Sequence, residues 1–127
     1  MGYIHFENNP LKKNVGDCAI RAVSVVMDFG WDEAYKQLCI QGFCMADLPN
    51  SDSVVGAFLF LNGFERQSIE TICPDCYTIK DFSMEHLRGV YLIGTGTHMV
   101  GMIDGDYFDT FDSGYEIPVY VWKKGER

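Results

Sequence analysis

A chain of 127 residues, 47% apolar and 14% aromatic, carries enough hydrophobic surface for one core and hardly for two, so a single domain over 1–127 is expected. Ten Lys and Arg against eighteen Asp and Glu give a formal charge of −8, which repels phosphate backbones and anionic bilayers and argues against nucleic acid or a membrane surface as partner. A 22% charged fraction without repeats or biased tracts excludes a disordered chain.

The opening MGYIHFENNPLKKN has no apolar stretch behind a basic start, so no secretory signal is expected. Phe6 stands where a myristoylation signal wants Ser or Thr. The longest apolar run, near Val54 to Leu61, falls far short of the roughly 20 residues that span a bilayer. These features point to a cytoplasmic protein, and in that compartment the five cysteines (Cys18, Cys39, Cys44, Cys73 and Cys76) are expected mostly as reduced thiols, metal ligands or catalytic groups.

Tyr3 to Phe6 reads as a short strand, broken by Asn8-Asn9-Pro10. Asp17 is a favoured N-cap, and apolar residues from Cys18 to Met27 cover most of a helical circumference, which makes that helix central. Gly30 ends it, and Trp31-Asp32-Glu33 opens a second helix expected to run to Gly42. Pro49-Asn50-Ser51-Asp52 is a turn and cap cluster before a third helix, Ser53 to about Leu61, stopped by Asn62-Gly63. Phe64 to Ile69 reads as a strand, and Asp81 to Leu87 as a short helix.

From Val90 the segments VYLIGT, HMVGMI, YFDTFDS and PVYVWKK, separated by Gly or Asp, predict an antiparallel meander. Asp104-Gly105 is the strongest hairpin signal, and Pro118 suits a sheet edge. Helices followed by strands give an α+β fold, with N-terminal helices packed on a C-terminal antiparallel sheet.

Cys18 falls in the first turn of the central helix, where unpaired amides and the macrodipole favour a thiolate. Asp17 beside it opposes that shift unless its carboxylate is occupied by the amides it caps or by Arg21 one turn on. His98 opens the strand HMVGMI after a Gly-Thr-Gly-Thr stretch, at the end of a sheet, where an imidazole borders a cleft. A three-residue loop Asp104-Gly105-Asp106 sets His98 opposite Asp112, whereas a two-residue turn pairs His98 with Phe111 and leaves Asp109 diagonally near; the first register is favoured. A carboxylate on one ring nitrogen fixes the tautomer and leaves the other nitrogen for the thiol proton.

Gly16-Asp17-Cys18-Ala19 opening a long buried helix, Thr97-His98-Met99-Val100 opening a strand 80 residues later and an Asp 14 residues beyond resemble the papain-like cysteine peptidases, especially small bacterial and bacteriophage members, over about residues 8 to 122. The resemblance implies a peptide or protein substrate, no cofactor, Cys18 as nucleophile, His98 as general base and acid, and Asp112 as orienting group. The family commonly places an oxyanion-donating Gln about six residues before the nucleophile; here that residue is Lys12, and Asn14 or Asn9 is the candidate replacement. Two other readings follow: a papain-like binding protein without hydrolysis, such as a phage-type inhibitor, and a zinc module built from Cys73-Pro-Asp-Cys76 with Cys39 and Cys44. His86, in the last turn of a predicted helix, reads as a cap, and His5 as ordinary.

Overall fold

A helix that is apolar around nearly its whole circumference must be covered on every side, and the arrangement of the chain supplies that cover. A computed structural model describes residues 2–70 and 76–125. The elements in order are β1 (Gly2–His5), α1 (Cys18–Met27), α2 (Trp31–Met45), α3 (Asp52–Leu61), β2 (Phe64–Ser68), α4 (Ile79–Glu85), β3 (Val90–Gly94), β4 (Met99–Ile103), β5 (Asp106–Asp109) and β6 (Tyr120–Lys124). The fold is α+β, and no helix among the described residues is long and apolar enough to cross a membrane.

Every residue of α1 from Ala19 to Val26 is buried, as its composition demands. The second helix runs past its expected end at Gly42 and stops at Ala46, which takes the left-handed C-cap conformation at φ 55°. Gly42 serves contact rather than termination: a Cβ there would lie 2.7 Å from the carbonyl oxygen of Asp47 in the following loop. The third helix begins one residue earlier than expected, because Ser51 caps it through Val54 N–H at 3.1 Å. Thr78 and Asp81 form a reciprocal capping box that starts α4 two residues before the expected Asp81.

The strands form one six-stranded sheet in the order β1-β5-β4-β3-β6-β2. The expected four-strand meander holds for β3, β4 and β5, but β6 returns to pair antiparallel with β3, and β1 lies parallel to β5. The sheet is therefore mixed, with β1 occupying the edge of β5 that β6 would otherwise take. Pro118 is not at an edge either: β6 is interior, and the proline stands just before it, where its missing N–H breaks no ladder bond.

Alternation along the strands sorts the core into two layers. Leu92 and Met99 pack with α1, α2 and α3, while Tyr91, Ile93, Val100 and Met102 face Ile79 and Phe82 of α4. Between α1 and β4 the contact is backbone-close, since a Cβ on Gly101 would meet Val25 at 2.8 Å and the Ala22 carbonyl oxygen at 3.0 Å. Gly101 thus sets how near the helix carrying Cys18 comes to the strand that follows His98. Gly101→Ala should overpack this seam, costing about 1–3 kcal/mol in urea unfolding, and should also slow alkylation of Cys18 by moving α1 outward.

Candidate active site

The first turn of α1 is built to leave its amides uncapped. Asp17 at the N-cap makes no side-chain bond to the helix backbone. Its carboxylate turns instead to Arg21 Nη1 at 2.9 Å, Trp31 Nε1 at 3.0 Å and Asn9 Nδ2 at 3.3 Å. Of the two fates expected for Asp17, the Arg21 pairing is the one adopted. The positive end of α1 therefore faces Cys18 without a side-chain carboxylate on its amides.

His98 sits immediately before β4, with its carbonyl oxygen accepting from Thr95 N–H at 2.9 Å. Its Nε2 is 2.6 Å from Asp109 Oδ2, and Cys18 hydrogen-bonds the same ring, which leaves Nδ1 for the sulfur. The orienting carboxylate is thus Asp109, and Asp112 is displaced from that role. The cause is loop length: Ile103 pairs directly with Asp106 across a two-residue Asp104-Gly105 turn, whose φ values of 50° and 86° are those of a type I′ hairpin. That register brings the ring of Phe111 to 5.1 Å from the ring of His98. Asp112 instead accepts from the Tyr107 hydroxyl and Gly114 N–H, both at 3.0 Å.

Asp109 is completely buried and fully partnered. Oδ1 accepts from Arg21 Nη2 at 3.2 Å and Thr110 N–H at 2.8 Å, and Oδ2 from Ser113 Oγ at 2.8 Å besides His98. Burial raises its pKa, but the His98 bond, the His98 charge and these donors outweigh that and hold it below the usual carboxylate value. Burial lowers His98, yet the bonds to Asp109 and Cys18 lift it to about 10. Burial raises the Cys18 thiol, and the His98 bond, a backbone bond from Met99 and the charges of His98 and Arg21 reverse the effect, so that the net shift is downward. All three shifts favour a thiolate–imidazolium–carboxylate array.

Two cavities open on this array. One, of about 390 Å³, is lined by Asn14, Arg21, Thr97 and Phe111, with Glu7 and Lys13 at its rim. The other, of about 330 Å³, runs from Cys18 and His98 to Asn50 and Asp52. Asn14 borders the first cavity beside Cys18, whereas Asn9 is buried and committed to Asp17 and to Leu11 N–H. Of these two asparagines, Asn14 is the one placed on the cavity that Cys18 lines.

Sequence reasoning missed Ser113, Trp31 and Asp52. An Asp-to-Ser spacing of four residues, as at 109 and 113, carries no signal by itself, and Trp31 and Asp52 arrive from other helices. His5 bonds only the Tyr3 hydroxyl, at 3.1 Å, while His86 bonds the Phe82 carbonyl oxygen at 2.9 Å and caps α4 as expected. Cys39 and Cys44 are free thiols; Cys76, expected as a reduced thiol or zinc ligand, is disulfide-bonded and so withdrawn from metal binding, and Cys73 lies outside the described residues. Among the described residues no group of three or more potential ligands could hold a metal ion.

Arg21→Met strands two buried carboxylates, and should cost about 3–5 kcal/mol in urea unfolding. For His98 the folded pKa of about 10 exceeds the ordinary 6.5, so its contribution is complete below 6.5 and is lost as pH rises through about 10. The Cys18 contribution runs oppositely, being lost as pH falls through its lowered value. Relative to His98→Gln, the wild-type chain should therefore lose stability only on the far alkaline and far acidic sides. Compared with known proteins, the chain matches no family model, and no curated protein and no solved structure gives a match.

Proposed function

We propose that this chain is a papain-like thiol hydrolase that cleaves a peptide, isopeptide or side-chain amide through an acyl-enzyme on Cys18. The observation that carries the reading is the continuous contact Cys18–His98–Asp109 beneath an open cavity. A buried structural cysteine needs no imidazole partner, and a binding module needs no cavity over the pair.

The steps follow from the atoms. The Cys18 thiolate adds to the amide carbonyl carbon, and the resulting oxyanion is met by the Cys18 backbone N–H and the Asn14 side-chain amide. His98 gives its Nδ1 proton to the nitrogen of the scissile bond, which leaves as an amine and yields the thioester. His98 then takes a proton from water as the water oxygen attacks the thioester carbon, and the carboxylic acid departs as the Cys18 thiolate re-forms. Asp109 keeps Nδ1 aimed at the sulfur and the leaving nitrogen throughout, and stabilises the imidazolium.

Iodoacetamide at pH 6 should modify Cys18 well ahead of Cys39 and Cys44, and equal labelling of the three would remove the basis for activation. Cys18→Ala should fold normally while losing turnover and acyl-adduct formation; full activity in that variant would exclude the mechanism. The kcat/KM profile should be bell-shaped, with its acid limb below the ordinary thiol value and its alkaline limb near 10, where His98 loses its proton.

A further inference from the structure

The cavity running from Cys18 toward α3 carries a negative charge at its exposed far end. Asp52, the first residue of α3, lines it together with Asn50, and the loop at Gly96-Thr97 closes the side. Among the described residues Asp52 forms no ion pair. Its neighbour is the hydroxyl of Tyr120, which burial and the Asp52 charge push up to about 12.

Tyr120 is itself held rigidly. It is buried on β6 opposite Gly94, where a Cβ would lie 2.1 Å from the ring, so only glycine lets the ring lie flat on β3. The guanidinium of Arg66 sits 4.7 Å from the ring centroid, and its Nη1 donates to Ser68 Oγ at 3.2 Å. That cation lies over the ring, and among the described residues no side chain forms an ion pair with Asp52. The cavity on the other side of Cys18 differs, since Glu7, Lys13 and Arg21 there bring both signs of charge.

We infer that the Asp52 cavity is a cation-selecting subsite, which takes the Lys or Arg side chain of a peptide next to the bond that Cys18 attacks. The inference rests on the hydrolase reading above and names its substrate class. A carboxylate on the cavity wall with no ion pair among the described residues keeps lone pairs for an ammonium or guanidinium, and the −8 charge of the chain draws basic segments toward the cleft. A volume of about 330 Å³ lies within the range of specific ligand pockets.

The test uses blocked peptidyl vinyl sulfones that differ only in the residue one or two positions from the electrophile: Lys, Arg, Gln, norleucine or Glu. Mass mapping of the adduct and the second-order inactivation rate give the readout. At one of the two positions Lys and Arg should modify Cys18 roughly tenfold faster or more than Gln and norleucine, the scale of one charge-assisted hydrogen bond, with Glu slowest. Asp52→Asn should erase the preference, Asp52→Lys should turn it toward Glu, and Tyr120→Phe should weaken it while keeping its sign. Equal rates for Lys and norleucine at both positions would overturn the subsite and leave the hydrolase reading standing. Modification of Cys18 by no probe faster than by iodoacetamide would overturn both.

Discussion

A carboxylate with no solvent exposure organises this molecule. Asp109 ends β5, and its four bonds reach Arg21 on α1, His98 before β4, and Thr110 and Ser113 in the segment that follows β5. An ionised carboxylate removed from water costs several kcal/mol unless its lone pairs are filled, so none of these partners is dispensable. Arg21 is shared with Asp17, itself buried, and this ties the entry to α1, which carries Cys18, to the exit from β5, whose Asp109 holds His98. The same network that closes the fold at this end also fixes the distance between sulfur and imidazole. Stability and chemistry are inseparable here.

The turning of Asp17 away from its own helix follows from that network. An N-cap carboxylate bonded to the first-turn amides would put negative charge beside Cys18 and would compete with an oxyanion for the same donors. Arg21, Trp31 and Asn9 hold the carboxylate elsewhere, so the helix gives up a cap worth roughly 1 kcal/mol and keeps a positive terminus. The loss is tolerable because α1 is stabilised by packing on all sides rather than by its ends. A surface helix of the same length would bear it far less well.

Local signals made the central helix, its cysteine, the terminal position of His98 and the Asp104-Gly105 turn legible in the sequence. What failed was register. Reading the turn as three residues rather than two moves each partner on β5 by one position, and a one-residue slip exchanges the two faces of a strand. That single step separates Asp112 from Asp109, although both carboxylates and both registers were in view. The partners of β1 and β6 were illegible for another reason: strand pairing across most of the chain leaves no periodic trace, and here β1 takes the edge of β5 while β6 pairs with β3. Asp52 escaped notice likewise, since its nearness to Cys18 depends on how α3 docks and not on any local spacing.

The two cavities beside Cys18 would act differently on its thiol. A cation bound beside Asp52 would stand near the Cys18 sulfur and favour its thiolate, whereas an anionic side chain in the same cavity would push the thiol upward. Substrate charge and nucleophile ionisation are then linked, and the linkage is reciprocal: a thiolate draws a cationic side chain better than a thiol does. On the opposite side Glu7, Asp17, Lys13 and Arg21 bring charges of both signs to the cavity, and no single charge dominates it. Discrimination by charge would then belong to the side of Asp52, which forms no ion pair among the described residues. On the proposed hydrolase reading it would act on the attacking group as well as on binding, and so reach the rate constant in addition to the affinity.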